Sequence, residues 1–168
     1  MALSESKATV FSHCVNNPKR YGILEFDGEN RPVCIEEKPK QPKSNWAVTG
    51  LYFYDASIVD VARKLKPSAR GELEITEANR VYLEAGRLSV QQLGRGFAWF
   101  DAGTHHSTLQ ASEFIYMIEE RQGLKIGCPE EVAYRMDFID APSLERLVNP
   151  IADSDYGAYL RRVLSSPA

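Results

Sequence analysis

Several short stretches of this 168-residue chain carry side chains able to do chemistry. In Glu36-Glu37-Lys38-Pro39-Lys40, carboxylates stand beside ammonium groups where a strand gives way to a loop. Carboxylates accept hydrogen bonds from hydroxyls and lysine offsets phosphate charge, so the pair suits a polyol that bears a phosphate. The alternative is a solvated charged loop, the usual place for such residues. Arg70 lies in Ser68-Ala69-Arg70-Gly71 before a helix, where an arginine can clamp a phosphate through two parallel hydrogen bonds. It could equally pair with Glu72 or Glu74. Trp99-Phe100-Asp101-Ala102-Gly103-Thr104 puts a carboxylate between an aromatic run and a glycine turn. Mg²⁺ takes one or two carboxylates together with phosphate oxygens, so Asp101 could be half of a metal site. The other reading is that Asp101 caps the turn or the helix that follows. Adjacent His105 and His106 point to different faces of a helix, which argues against a paired metal role. His13 and Cys14 project to opposite faces of a strand, which argues against a thiol–imidazole couple.

The elements that must position these groups are readable from turn residues and apolar spacing. Ala8 to Val15 is a strand stopped by Asn16-Asn17-Pro18. Gly22 to Phe26 and Pro32 to Glu37 flank Asp27-Gly28, a hairpin signal. Residues 38–45 form an exposed loop, and Trp46 to Tyr54 reads as a strand covered on both faces. Asp55 caps a helix through Leu65, and a second helix runs from about Glu74 to Ala85, closed by Gly86. Leu88–Leu93, Phe97–Phe100 and Leu124–Gly127 read as strands. Thr104 caps a long helix from His105 to Arg121, and further helices lie near 130–136, 142–148 and 155–164. The mixture predicts an α/β or α+β class with a mixed sheet.

Composition narrows the function classes. Hydrophobic residues make up 43% and charged residues 26%, an ordinary globular balance. A net charge of −3 argues against a broad footprint for a nucleic acid polymer. No apolar run has the length of a membrane span, and Met1-Ala-Leu-Ser-Glu-Ser-Lys7 lacks the make-up of a signal peptide. Cys14, Cys34 and Cys128 show no CxxC spacing and read as reduced thiols. These features predict a cytoplasmic protein. Neither GxGxxG nor GxxxxGK[ST] occurs, so the common phosphate-cradling turns are missing from the sequence.

Taken together, the stretches carry a resemblance. Arg20-Tyr21-Gly22-Ile23, Ile35 to Lys40, Val48 to Asp55, Ala69 to Thr76 and Gly94 to His105 closely resemble the bacterial glucose-1-phosphate thymidylyltransferase family, in order and spacing, from about Ala8 onward. The resemblance implies a nucleotide-diphospho-sugar transferase fold, Rossmann-like, with a mixed sheet flanked by helices. It also implies joining of dTTP to glucose 1-phosphate, giving dTDP-glucose, on the route to dTDP-rhamnose, and pyrophosphate. By the same resemblance Tyr21, Gly22, Glu37 and Val48 contact the sugar, Lys38 and Arg70 bind its phosphate, and Trp99 borders the pocket. Asp101 is one of two carboxylates that hold Mg²⁺. Arg95 and Glu130 belong to a regulatory nucleotide site between subunits, which implies a homo-oligomer. Members of that family begin with a nucleotide-binding half that this sequence does not contain, so the chain is expected to be a truncated C-terminal part, inactive alone. Residues 1–7 are then a tail and 8–168 the sugar-binding and helical part. The alternatives are a non-catalytic binding module and one half of a split enzyme. A sheet without its first strands would expose an edge and an apolar face, which predicts self-association.

Overall fold

Turn chemistry closes the expected hairpin. The Asp27 carboxylate accepts hydrogen bonds from the backbone N–H groups of Glu29 and Arg31, each at 2.9 Å, and from Arg31 Nε at 2.8 Å. The Arg31 donors hold its carboxyl below the ordinary carboxylate range. The hairpin joins β2 (Gly22–Phe26) to β3 (Pro32–Glu37). The computed structural model describes residues 8–165, and the expected tail over 1–7 lies outside them. With β1 (Ala8–Cys14), β4 (Trp46–Tyr54) and β5 (Leu88–Leu93), the hairpin builds one five-stranded sheet in the order β3-β2-β4-β1-β5. β1 and β5 run parallel and the other pairs antiparallel, so the sheet is mixed, as expected.

One face of this sheet holds the core. Ala8, Val10, Leu24, Ile35 and Leu88 pack with Tyr82 of α2 (Ile75–Glu84), and Trp46, Val48, Tyr52 and Tyr54 of β4 join them half-buried. Thr76, Asn79 and Tyr82 recur at every third position, which turns one stripe of α2 onto the sheet. Tyr54 donates to the buried Asn79 Oδ1 at 2.5 Å. Among the described residues the opposite face of β4 is covered only over its first half: Ala47 and Thr49 are buried, whereas Leu51 and Phe53 are 49% and 58% exposed. The expectation of a doubly covered strand therefore holds for the first half of β4 and is corrected for the second. Before α1 (Ile58–Lys64), Asp55 Oδ1 accepts from Ser57 N and Ser57 Oγ. Ser57 rather than Asp55 therefore holds the cap position, and Asp55 makes the entry turn.

Two further expected strands do not form. After β5, Gly96 adopts φ +102° and Phe97 N–H bonds Gly94 C=O, which turns residues 97–100 away from the ladder. At 124–127 the Ile126 N–H is taken by the Glu119 carboxylate and Gly127 adopts φ +72°, so no ladder begins there.

The chain forms two compact units that divide between Trp99 and Phe100. The second contains α3 (His105–Gln122), α4 (Pro129–Arg135), α5 (Ala141–Val148) and α6 (Asp155–Ser165). Thr104 caps α3 as expected, in a reciprocal box with Ser107, and Gly123 ends it at φ +66°. Asp140 caps α5 through the Ser143 N–H. The core of this unit is Leu144, Val148, Tyr159, Leu160, Val163 and Cys128. All three cysteines are free thiols. Among the described residues no helix is long and apolar enough to cross a membrane.

Candidate functional site

The register of β2 against β3 sets Gly22 directly opposite Glu37. The first turn of α2 then brings Thr76 over both, and its hydroxyl donates to Glu37 Oε2 at 2.5 Å. A Cβ on Gly22 would stand 2.8 Å from Thr76 Oγ1 and 3.1 Å from Glu37 Oε2, so only glycine leaves room for this bond. Two cations flank the other carboxylate oxygen. Lys38 Nζ lies 3.8 Å and Arg70 Nη1 3.9 Å from Glu37 Oε1. These are ion-pair distances beyond hydrogen bonding, so Oε1 keeps acceptor capacity for a ligand hydroxyl. The Glu37 side chain is 20% exposed, enough to meet a ligand while remaining anchored. Burial, followed by the charge of Glu37, raises the Tyr52 phenol above its ordinary value and keeps it a hydrogen-bond donor.

Lys38 has an unusual backbone. Its φ is +45°, a conformation that costs a residue with a Cβ about 1–2 kcal/mol. Its N–H bonds Tyr21 C=O at 3.0 Å, which fixes the chain in that state. Asn30 and Asp137 also have positive φ, but short polar side chains tolerate it and lysine has no such local compensation. Strain of this kind persists where the surroundings impose it, commonly at ligand sites. Lys38→Gly is therefore expected to raise stability by about 1 kcal/mol while losing affinity for a sugar phosphate. Urea unfolding and calorimetric titration of the same variant check both halves, and a variant that gains no stability contradicts the strain.

Arg70 is heavily paired. Its Nη2 lies 2.8 Å from Glu72 Oε2, and its Nη1 lies 3.5 Å from Glu74 Oε1. Glu74 is fixed by Ser68 Oγ at 3.1 Å, and Gly71 at φ +79° makes the loop tight enough for these contacts. Both carboxylates named as possible partners from the sequence thus contact Arg70, and Glu37 makes a third.

The remaining candidates fall as follows. Tyr21 and Trp99 meet edge to face, with ring centroids 5.1 Å apart, and His13 lies 6.3 Å from Trp99. Val48 is half-buried on the core face of β4. Arg95 is exposed in the loop after β5. Asp101 belongs to the second unit, where its Oδ1 accepts from Gly103 N–H at 3.1 Å. Glu130, in the same unit, accepts from Tyr156 OH at 2.5 Å beside the buried Cys128. The structure thus gathers Gly22, Glu37, Lys38 and Arg70 with Glu74, read from the sequence as a possible Arg70 partner, and adds Thr76, which sequence reasoning missed. A threonine in the first turn of a helix looks ordinary until strand register shows what faces it.

Comparison with known proteins gives consistent matches. The sequence model described as nucleotidyl transferase matches residues 2–117. A glucose-1-phosphate thymidylyltransferase of Xanthomonas campestris pv. campestris (strain B100) is 56% identical over 156 residues, 93% of this chain and 53% of that protein. One from Mycolicibacterium smegmatis is 53% identical over 159 residues, 95% of this chain and 55% of that protein. Among solved structures, a Bacillus anthracis protein crystallised with sucrose and assigned as a glucose-1-phosphate thymidylyltransferase is 43% identical. It superposes with a TM-score of 0.58 over 66% of this chain and 44% of its own. The chain spans about half the length of the curated relatives it matches. Its mixed sheet with flanking helices has the fold of the sugar nucleotidyltransferases, as the resemblance implied.

Proposed function

The chain belongs to the nucleotidyl transferase family, and on that premise we propose that it supplies the sugar-phosphate side of the reaction of dTTP with glucose 1-phosphate to give dTDP-glucose and pyrophosphate. The observation that carries this reading is the Glu37 carboxylate, anchored by Thr76 opposite Gly22 and flanked by Lys38 and Arg70. An acceptor for hydroxyls beside two cations matches a phosphorylated sugar.

In the reaction, an oxygen of the sugar phosphate attacks the α-phosphorus of dTTP. The bond from that phosphorus to the bridging oxygen breaks, and pyrophosphate leaves. No protein nucleophile is needed, so alignment and charge neutralisation are the protein's contribution. Glu37 orients the sugar through its hydroxyls, and Tyr52 offers a donor on the same face. Lys38 and Arg70 offset the sugar phosphate, whose repulsion from the triphosphate otherwise opposes approach. Tyr21 and Trp99 would border the pocket, and Val48 would support its floor.

Asp101 is the residue for Mg²⁺. Among the described residues no group of three or more metal-ligating side chains is assembled, so this chain can contribute one carboxylate to a site completed by phosphate oxygens and a further carboxylate. Bound there, Mg²⁺ would offset charge on the phosphates. The regulatory assignment of Arg95 and Glu130 rests on the resemblance. Self-association belongs to the same reading, since Leu51 and Phe53 leave an apolar patch of the kind a second copy covers.

The test is pyrophosphate release with dTTP, glucose 1-phosphate and Mg²⁺. This polypeptide, which spans about half the length of its relatives and carries neither GxGxxG nor GxxxxGK[ST], is expected to release none alone. Joined to the remaining half of the Xanthomonas relative, it is expected to turn over, and Asp101→Ala is expected to abolish that turnover. A joined protein that folds and binds dTTP yet releases no pyrophosphate overturns the proposal.

A further inference from the structure

Arg70 does not wait for a phosphate with its donors open. Three carboxylates surround its guanidinium: Glu72 at 2.8 Å, Glu74 at 3.5 Å and Glu37 at 3.9 Å. A phosphate that arrives at the same guanidinium meets competition for its N–H groups and repulsion from negative charge.

The three carboxylates differ in how firmly they are held. Glu37 is anchored by Thr76 and its side chain is 20% exposed. Glu74 is anchored by Ser68 and is 11% exposed. Glu72 is 60% exposed, and among the described residues Arg70 is its one polar side-chain partner. It also makes the shortest contact, on Nη2, the edge of the guanidinium left open by the other two. Its backbone is fixed all the same: Glu72 C=O accepts from Ser68 N–H at 2.8 Å, and Gly71 N–H bonds Ser68 C=O at 2.8 Å. A fixed backbone with a solvent-facing carboxylate lets the side chain swing away without disturbing the loop.

We propose that Glu72 is a competitive gate on the phosphate-binding arginine: it occupies Nη2 in the empty site and must leave when a phosphate binds. The inference rests on the reading of Arg70 as a phosphate ligand. The gate weakens every anion at this position by a similar factor. Inorganic phosphate, with no further contact to make, then falls below useful affinity. A sugar phosphate compensates through the hydroxyl contacts at Glu37. Glu72 thus sets an affinity threshold that a ligand with both parts crosses, while the ratio between sugar phosphate and bare phosphate is set by Glu37.

The test is calorimetric titration of the chain and its Glu72→Gln and Glu72→Ala variants with glucose 1-phosphate and, separately, with inorganic phosphate. Both variants change an exposed side chain and are expected to fold. Each is expected to bind glucose 1-phosphate roughly three- to tenfold more tightly, the scale set by releasing a surface ion pair and removing one nearby negative charge. Inorganic phosphate, titrated by itself, is expected to tighten by a similar factor in both variants. Unchanged or weaker glucose 1-phosphate binding in both variants, with binding still lost in Arg70→Ala, overturns the gate and leaves the reading of Arg70 standing. Normal binding in Arg70→Ala overturns that reading and the gate with it.

Discussion

Gly157→Ala is expected to destabilise the helical unit by about 3 kcal/mol, the upper end of ordinary overpacking costs. Gly157 is buried in α6, and a Cβ there would stand 2.1 Å from the Ile151 carbonyl oxygen, 2.9 Å from its carbon and 3.1 Å from Ala152 Cα. All three atoms are backbone, so no side-chain rotation relieves the clash. α6 would have to move off the turn that precedes it, and with it Tyr159, Leu160 and Val163 would leave the core they share with Leu144 and Val148. The better helix propensity of alanine returns only about 1 kcal/mol. Thermal unfolding followed by near-ultraviolet circular dichroism should show the unit melting roughly 15 °C lower. A midpoint within about 2 °C of the parent would mean that α6 and the turn before it do not pack as described.

Gly22→Ala tests the other unit, and its effect falls on binding as well as folding. The atoms its Cβ meets, Thr76 Oγ1 at 2.8 Å and Glu37 Oε2 at 3.1 Å, both belong to side chains. They can give way, but only by ending the hydrogen bond between them. The expected cost in stability is about 1.5–3 kcal/mol, that of a hydrogen bond to a charged group. The expected cost in glucose 1-phosphate affinity is larger than about tenfold, because Glu37 loses the anchor that aims it. Gly28→Ala is the control, since a Cβ there meets nothing within 4 Å. Calorimetry on both variants decides the matter, and a Gly22→Ala protein that binds as tightly as the Gly28→Ala protein contradicts the role given to the Glu37–Thr76 pair.

Much of this was legible before any coordinates. The Asp27-Gly28 turn and the strands on either side of it follow from residue types whose backbone preferences leave few options, and the same holds for Thr104 and Gly123 at the ends of α3. Local apolar runs misled where pairing was decided elsewhere. Phe97–Phe100 has strand-like residues but follows a glycine at φ +102°, and Leu124–Gly127 loses its N–H to Glu119. The site divides in the same way. Glu37 and Lys38 are neighbours in sequence, so their joint chemistry could be read directly. That Gly22 faces Glu37, and that Thr76 sits over both, depends on strand register and on how α2 docks, which no local pattern contains. The ring of carboxylates around Arg70 was half visible: Glu72 and Glu74 are close in sequence, whereas Glu37 arrives from another strand.

The most direct measurement is calorimetric titration of this chain with glucose 1-phosphate, beside separate titrations with glucose and with inorganic phosphate. One site for glucose 1-phosphate is expected, weakened by added salt and lost in Lys38→Ala and in Arg70→Ala, with glucose and phosphate each binding at least roughly tenfold more weakly. Glucose 1-phosphate that binds no better than its two parts, or that binds equally well without Lys38 and Arg70, would contradict a sugar-phosphate site built on Glu37.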